Sequence, residues 1–275
     1  MSDNPYPELA IAGTGAIATG LAALASRDSE RVWMLARSQD SADRATRAVE
    51  KASARIEGAD PSRVIATVEP GDLAGSRLMV EAIVEDLDAK AEILATLGHA
   101  APEADLSTTT SSLSVTALAR SCGHPERVFG LHVFNPVPVM NLVEICLPET
   151  ADPAIGDRAR SWCESLGKTP VFVPDTPGFV VNRLLFPYLF DAARFREKTG
   201  MESADVDTCM TLGVAHPMGP LALLDLIGLD VAVAIGEALH TESGKEDHLA
   251  PESVQSLVRA GKLGRKTGSG FYEYG

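Results

Sequence analysis

The 275-residue sequence predicts an α/β protein with a doubly wound sheet and a second, all-helical C-terminal domain. Two observations carry this prediction. Up to residue 173, short apolar runs typical of buried strands alternate with helical stretches, as in a sheet covered by helices. After the turn-rich segment 174–178, no strand pattern recurs and the remainder is helical. We therefore expect two domains, residues 1–174 and residues 175–275.

Composition and charge argue against several classes of protein. The formal net charge of −14 disfavours nucleic acid and anionic membranes as partners. No apolar run is long enough to span a bilayer, and residues 1–8 lack a basic region and an apolar signal core, so we expect a soluble, cytoplasmic protein. Widely scattered cysteines without metal-ligand spacing predict free thiols and no metal site. They are Cys122, Cys146, Cys163 and Cys209.

A glycine-rich turn joins the first strand to the first helix. Gly13, Gly15 and Ala18 have the spacing G-x-G-x-x-A. Gly13 would form the tight turn, Gly15 would let a pyrophosphate approach the backbone, and Ala18 would let helix pack on strand. The helix N-terminus, which includes Ala16 and Ile17, would hold the phosphates. The motif predicts a dinucleotide-binding domain of Rossmann type, with a glycine-rich turn without ligand as the alternative.

The end of the second strand indicates which dinucleotide is bound. After the strand predicted over 32–35, the chain reads Ala36, Arg37, Ser38. A carboxylate at this point would bind the ribose 2′-hydroxyl of NAD, but none is present. A guanidinium and a serine hydroxyl suit a 2′-phosphate. We expect a preference for NADP(H), with NAD(H) possible; the alternative is that Arg37 is a solvated surface charge.

The next segments continue the alternation of strands and helices. A charged, alanine-rich helix is predicted over residues 40–58. Strands are predicted over 64–68, 77–84 and 106–109. The following helix begins with Val115, so Ser111 and Ser112 are both candidates for capping it.

Residues 128–145 predict a hairpin that brings a histidine to a glutamate. Two apolar runs flank an expected five-residue loop with Asn135, Pro136 and Pro138. By strand parity, His132 and Glu144 point to one face of the hairpin, among apolar neighbours. A buried carboxylate is costly alone, and an imidazole within reach keeps it ionised. We expect a His132–Glu144 pair, which is either a structural contact or part of an active site.

A helix over 154–166 and a strand over 171–173 complete the predicted first domain. The helical remainder opens with residues 179–186, where Asn182 has apolar neighbours and its amide needs partners. Helices over 221–227 and 231–239 are apolar on more than one face, which favours a homodimer formed through them.

Several motifs resemble those of the L-3-hydroxyacyl-CoA dehydrogenase family, and the resemblance spans nearly the whole chain. Its signature L-H-x-F-N-P-x-x-x-M-x-L-V-E is matched by Leu131, His132, Phe134, Asn135, Pro136, Met140, Leu142, Val143 and Glu144. The segment T-S-S-L contains Ser111, which by this resemblance would bond the oxygen of the substrate. The segment P-G-F-x-x-N-R contains Asn182, which would complete the active site from the second domain.

The resemblance also implies that Glu85 and Lys90 lie near the nicotinamide ribose of the cofactor. The alternative for these two is a helix N-terminal acid and an ordinary surface lysine. Three departures from the family stand out. Thr109 replaces an asparagine, which implies altered contacts near the nicotinamide, and Ala36 replaces an aspartate. A helical hairpin that contacts coenzyme A in the family is missing after residue 58.

We therefore expect an oxidoreductase of fatty acid metabolism that moves a hydride between NADP(H) and C3 of a short 3-hydroxyacyl or 3-ketoacyl thioester, such as 3-hydroxybutyryl-CoA or acetoacetyl-CoA. His132 would act as general base, and Glu144 would hold its tautomer and stabilise the imidazolium. Ser111 and Asn182 would stabilise the reacting oxygen.

Three alternatives remain open at this point. The first is the same chemistry on a thioester of an acyl carrier protein, which would need a local basic face. Candidates for that face are Arg183, Arg194 and Arg196, or Lys262, Arg265 and Lys266. The second is a wider group of two-domain hydroxyacid dehydrogenases, whose site lysine has no counterpart here. The third is a non-catalytic dinucleotide-binding protein.

Overall fold

The computed structural model describes residues 4–275. Its internal contacts divide the chain into two compact units, Met1–Thr176 and Pro177–Gly275. The first contains an eight-stranded sheet with flanking helices, and the second is helical, so the predicted fold class is confirmed. The domain boundary expected after residue 174 stays a prediction.

The sheet of the first unit has the strand order β3-β2-β1-β4-β5-β6-β7-β8. Its strands are β1 (Glu8–Ala12), β2 (Arg31–Leu35), β3 (Val64–Thr67), β4 (Leu78–Glu81), β5 (Asp105–Thr108), β6 (Val128–Val133), β7 (Leu142–Cys146) and β8 (Thr169–Val173). Strands β1 to β6 run parallel, β7 is antiparallel to β6, and β8 is parallel to β7. The central strands are almost wholly buried because helices cover both faces of a doubly wound sheet.

The strand order reverses between β1 and β4, because β1 leads through a helix to β2 on one side while β4 leads to β5 on the other. Ligands of open α/β sheets bind in the crevice at such a switch point, outside the carboxyl ends of the strands. The glycine-rich turn follows β1 directly and therefore lies at this point.

The helices of the first unit are α1 (Ala16–Ala25), α2 (Gln39–Ser53), α3 (Leu87–Ala100), α4 (Val115–Ser121) and α5 (Pro153–Ser165). Several expected bounds are wrong. The helix expected over 40–58 ends at Ser53, and a short turn precedes Gly58, whose φ is +78°. The strand expected over 77–84 covers only β4, so Glu85 lies in the loop before α3. The strand expected over 171–173 begins two residues earlier, with Thr169.

The second unit consists of α6 (Val181–Thr199), α7 (Ser203–Gly213), α8 (Pro220–Ile227), α9 (Leu229–Ser243) and α10 (Glu252–Arg259). Its core is a cluster of apolar side chains from α6 to α10, centred on Phe186, Leu189, Phe190 and Leu224. Between residues 177 and 275 the backbone forms only isolated β-bridges and no strand. A carboxylate, Asp225, accepts hydrogen bonds from the N–H groups of Phe271 and Tyr272, which fixes the C-terminal segment on α8.

Candidate active site

The predicted hairpin brings His132 and Glu144 into direct contact. They form a register pair between β6 and β7, and Nδ1 of His132 lies 2.7 Å from Oε2 of Glu144. Only 5% of His132 and 2% of Glu144 is exposed. A carboxylate oxygen accepts, so the Nδ1–H donates and this tautomer keeps its proton away from Nε2. Such a buried pair has the chemistry to take up a proton on the imidazole, because the carboxylate supplies a counter-charge.

The loop of the hairpin is longer than expected. It covers residues 134–141 rather than five residues, so Met140 lies outside β7 and is 41% exposed. Lys168 accounts for this difference: its Nζ donates to the carbonyl oxygens of Val137 at 2.6 Å and Met140 at 2.9 Å. A buried ammonium from the residue before β8 thus fixes the loop that follows the histidine.

The glycine-rich turn has the shape that a bound pyrophosphate requires. Gly13 has a φ of +132°, and a Cβ there would lie 2.2 Å from the carbonyl oxygen of Ala82, so only glycine fits. A Cβ on Gly15 would meet no atom within 4 Å. Ala18 is fully buried. No side chain caps the N-terminus of α1, so the N–H groups of Ala16 and Ile17 remain available to an anion.

The end of β2 lacks an acidic residue and exposes a cation. Ala36 is buried, whereas Arg37 is exposed and has no ion pair among residues 4–275. Ser38 is the N-cap of α2: its Oγ accepts from the N–H of Ser41 at 3.3 Å and lies 2.9 Å from Oγ of Ser41. The capping role leaves the proton of the Ser38 hydroxyl able to point to a ligand.

Glu85 and Lys90 belong to an ionic network whose inner members, Lys90 and Glu81, are buried. Lys90 is 1% exposed, and its Nζ contacts Oε1 of Glu81 at 2.7 Å and Oε2 of Glu85 at 3.3 Å. The alternative of an ordinary surface lysine is therefore wrong. Glu81 is completely buried and also accepts from the Thr108 hydroxyl at 2.6 Å and the Ile83 N–H at 2.8 Å.

The other oxygen of Glu85 binds the turn that carries Ser111. Its Oε1 accepts from the Thr110 hydroxyl at 2.7 Å, the Ser111 N–H at 2.8 Å and the Ser112 N–H at 3.0 Å. Burial acts to raise the pKa of Glu85, but the charge of Lys90 and the hydrogen bonds from residues 110–112 outweigh it. The pKa of this carboxyl therefore lies below its ordinary value.

Neither Ser111 nor Ser112 caps the following helix. The N-cap of α4 is Ser114, whose Oγ accepts from the N–H of Ala117. Asp175 strengthens this helix start, since its carboxylate accepts from the N–H groups of Val115 and Thr116. The expected capping alternative is thus wrong for both serines, and the half-buried Ser111 hydroxyl lies 3.4 Å from Glu85. Thr109 donates its N–H to the carbonyl oxygen of Glu81.

Asn182 lies in the second unit, in the first turn of α6, and is 8% exposed. In the same unit, all six cations considered for a basic face are engaged by internal partners. Arg183 pairs with Glu242, Lys262 with Glu273 and Lys266 with Asp230. The other three contact backbone carbonyls or aromatic rings: Arg194, Arg196 and Arg265.

One member of the ionic network, Glu81, was not singled out by sequence reasoning. The signal was present, because Glu81 ends an apolar run in which Leu78, Met79 and Val80 are all buried. An acidic residue in such a run needs a buried partner, by the argument that pairs Glu144 with His132. The partner, Lys90, lies nine positions further on and across a loop, which the sequence pattern does not reveal.

Residues 4–275 contain neither a membrane-spanning helix nor a cluster of metal ligands. No helix in this range is long and apolar enough to cross a membrane. No group of three or more His, Cys, Asp and Glu side chains in the same range is arranged to hold a metal ion. All four cysteines are free thiols.

Comparison with known proteins shows matches in both units. Sequence models of the 3-hydroxyacyl-CoA dehydrogenase NAD binding domain and C-terminal domain match residues 8–176 and 178–274. A 3-hydroxybutyryl-CoA dehydrogenase of Clostridioides difficile is 36% identical over 278 residues, covering 97% of this chain and 99% of that protein. The mitochondrial hydroxyacyl-coenzyme A dehydrogenase of Mus musculus is 43% identical over 199 residues, covering 72% of this chain and 63% of that protein.

Solved structures agree with the sequence matches. The crystal structure of FadB2 from M. tuberculosis has a TM-score of 0.93 at 34% identity, with 98% of this chain and 99% of that chain covered. The crystal structure of (S)-3-hydroxybutyryl-CoA dehydrogenase PaaH1 from Ralstonia eutropha has a TM-score of 0.91 at 32% identity, with the same coverage. The matched NAD binding domain, together with the open glycine-rich turn, shows that the cofactor is a nicotinamide dinucleotide. The chain belongs to the 3-hydroxyacyl-CoA dehydrogenase family.

Proposed function

We propose that the protein transfers a hydride between a nicotinamide dinucleotide and C3 of a short 3-hydroxyacyl or 3-ketoacyl thioester of coenzyme A. The observation that carries the proposal is the buried His132–Glu144 pair, 2.7 Å apart, in a unit that also has an open pyrophosphate turn. The names of the relatives from Clostridioides difficile and Ralstonia eutropha, both 3-hydroxybutyryl-CoA dehydrogenases, support a four-carbon acyl group.

In this proposal His132 moves the proton. When the 3-hydroxyl is oxidised, Nε2 of His132 takes its proton, and in the reverse direction the imidazolium returns it to the oxygen of the ketone. Glu144 holds Nδ1 protonated and stabilises the positive charge that develops on the ring. The nicotinamide, when bound, accepts or supplies the hydride, and the protein aligns it.

The oxygen at C3 gains negative charge as a ketone is reduced, and donors aimed at it lower the barrier. We assign this task to the hydroxyl of Ser111 and the amide of Asn182. The exposed edge of Glu85 faces the nicotinamide ribose in this proposal, and Lys90 acts through Glu85 because only 1% of its side chain is exposed. Thr109 takes the position beside the nicotinamide.

For the cofactor, we propose NADP(H) in preference to NAD(H). The support is the absence of a carboxylate at Ala36, the exposed Arg37, which has no ion pair among residues 4–275, and the adjacent Ser38 hydroxyl at the start of α2. Charge-assisted hydrogen bonds to a 2′-phosphate are each worth about 1.5–3 kcal/mol, or roughly 10- to 150-fold in affinity. Arg37→Ala should therefore lower kcat/KM for NADPH by about that factor while leaving the value for NADH unchanged.

The experiment that tests the function compares initial rates of NADPH and NADH oxidation with acetoacetyl-CoA as substrate. We expect turnover with both cofactors and the higher kcat/KM with NADPH. A clear preference for NADH would refute the cofactor proposal, and absence of turnover with either would refute the substrate proposal.

A thioester on an acyl carrier protein is the second candidate substrate. Its support is that only a 3-10 turn, Pro61–Arg63, lies between α2 and β3, where the family resemblance implies a helical hairpin that contacts coenzyme A. The internal partners of Arg183, Lys262 and Lys266 weaken it, because a carrier would have to compete for these cations. Assaying acetoacetyl-CoA against the same acyl group on a carrier protein separates the two.

A homodimer through the second unit is also part of the proposal. Several large apolar side chains of its helices are exposed, although a soluble monomer gains by burying such groups. They are Leu184, Phe195, Leu212, Leu226 and Val231. Sedimentation equilibrium tests this assignment, and a monomer at micromolar concentration would contradict it.

A further inference from the structure

The turn at residues 110–112 is held by one carboxylate oxygen. Oε1 of Glu85 accepts hydrogen bonds from two hydroxyls and two consecutive backbone N–H groups, at distances of 2.7–3.0 Å. These donors belong to Thr110, Ser111 and Ser112. The Ser111 hydroxyl itself lies 3.4 Å from the same oxygen, at the limit of a hydrogen bond, so it remains able to turn to a different acceptor.

The carboxylate is itself fixed by charges from the interior. Oε2 of Glu85 lies 3.3 Å from Nζ of Lys90, and Lys90 is anchored 2.7 Å from Glu81 at the end of β4. Glu81 also accepts from the hydroxyl of Thr108, on the neighbouring strand β5. The chain of contacts therefore runs from two central strands of the sheet, through a buried ammonium, to the turn before α4.

We propose that Glu85 is a positioning residue that fixes Ser111 for its contact with the reacting oxygen, and that Lys90 and Glu81 are the buried support that fixes Glu85. This inference rests on the proposed function of Ser111. It is separate from the contact proposed between the exposed edge of Glu85 and the cofactor ribose, because the donors of the turn bind Oε1. Hydrogen bonds to an ionised acceptor are shorter and stronger than neutral ones, which suits a residue that must hold a loop in place.

The same geometry explains why the inner part of the network, Lys90 and Glu81, is buried. Catalytic groups need to be held within a fraction of an ångström of their productive position, and this requires partners whose own side chains are immobile. Lys90 and Glu81 are each at most 1% exposed, and their ion pair connects Lys90 to the end of β4. The side chain of Glu85 is 35% exposed and contacts the turn at residues 110–112.

A double-mutant cycle tests the inference. Glu85→Gln keeps an oxygen for the two N–H groups but removes the charge that Lys90 holds, and Ser111→Ala removes the positioned hydroxyl. We expect Glu85→Gln to lower kcat by roughly tenfold or more, a larger effect than any change in dinucleotide Kd through the ribose contact. In the Ser111→Ala background, Glu85→Gln should lower kcat by less than about twofold further. Glu92→Gln, an exposed glutamate on α3, is the matched control and should change nothing.

A second readout does not depend on activity. Hydrogen exchange at the N–H groups of Ser111 and Ser112 should accelerate at least about tenfold in Glu85→Ala, and much less in Glu85→Gln, which retains an acceptor oxygen. The melting temperature of each variant controls for global unfolding.

The outcomes separate this inference from the proposed function. If Ser111→Ala lowers kcat but the loss from Glu85→Gln is additive to it, Glu85 acts elsewhere and the inference is overturned while the function stands. The same holds if Glu85→Gln weakens dinucleotide binding and leaves kcat unchanged. If Ser111→Ala retains wild-type kcat, the role proposed for Ser111 fails, and the positioning role of Glu85 fails with it.

Discussion

Replacing Glu144 by glutamine removes one charge from the buried pair and keeps its size. In the wild type the Nδ1–H of His132 donates to Oε2 of Glu144 at 2.7 Å, with both groups at most 5% exposed. The glutamine amide oxygen can still accept this hydrogen bond, so the tautomer of His132 is retained. The lost contribution is the attraction between the carboxylate and the imidazolium that forms as the proton is taken.

The size of this loss follows from the geometry. The charge centres of a contacting imidazolium and carboxylate lie roughly 4 Å apart, and at an effective dielectric constant of about 20 their attraction is about 4 kcal/mol. Because each 1.36 kcal/mol corresponds to about a factor of ten in rate, the upper value is a loss of about a thousandfold. Part of it is recovered by the dipole of the amide, so we expect kcat to fall by roughly 100- to 1000-fold.

The assay follows cofactor oxidation with acetoacetyl-CoA, alongside dinucleotide binding measured by titration. The matched control is Asp105→Asn, which removes another buried carboxylate from the same sheet, one that pairs with Arg158 at the opposite end of the strands. This variant should lose stability but keep kcat within about twofold of the wild type, since Asp105 is remote from the carboxyl edge. A Glu144→Gln enzyme whose kcat lies within tenfold of the wild type would refute the reasoning.

Three further outcomes follow from other contacts. Gly13→Ala should lower both the melting temperature and the dinucleotide affinity, because its Cβ would lie 2.2 Å from a backbone oxygen. A Cβ on Gly15 would meet no atom within 4 Å, so Gly15→Ala should keep the melting temperature and weaken dinucleotide binding by roughly tenfold or more. Equal dinucleotide affinity in Gly15→Ala and the wild type would contradict the pyrophosphate site. Asp175→Ala should lower the free energy of unfolding, measured by urea titration, by about 1–2 kcal/mol, because two N–H groups at the start of α4 lose their acceptor. An unchanged urea midpoint would contradict the capping role of Asp175. Ellman's reagent at mildly alkaline pH should label the exposed Cys209 rapidly and the three buried thiols only in denaturant. Burial raises the pKa of Cys146 and Cys163 to about 12 and thereby lowers their thiolate fraction. Rapid reaction of two or more thiols in the native protein would contradict this expectation. These three thiols are Cys122, Cys146 and Cys163.

The contact between His132 and Glu144 was predictable because a strand has a period of two residues. Parity alone puts both side chains on one face, and a short loop between the strands leaves few registers. The glycine-rich turn was predictable for a similar reason, since the spacing of Gly13, Gly15 and Ala18 reflects local backbone geometry. Both features depend on contacts that the chain makes within about twenty residues.

The end of α2 and the length of the hairpin loop were not predictable in this way. Residues 54–58 are compatible with a helix by composition, but the chain turns after Ser53 in order to reach β3. The loop at residues 134–141 is fixed by Lys168, which is distant in sequence and shows no pattern that connects it to the loop. Local propensity carries no information about such tertiary partners.

Lys90 illustrates the same limit for the site. A lysine in a helix sequence is usually exposed, so its burial between Glu81 and Glu85 is a tertiary result. The resemblance to the family directed attention to Glu85 and Lys90 together, but the buried partner of Lys90, Glu81, became evident only from the folded chain.

The most direct test of the central claim is the kcat of His132→Ala with acetoacetyl-CoA, measured together with its dinucleotide Kd. We predict that kcat falls by about a thousandfold or more while the Kd stays within about twofold of the wild type, because the histidine moves the proton and does not hold the cofactor. A His132→Ala enzyme that turns over at a rate close to the wild type would contradict the assignment of His132 as the acid–base group.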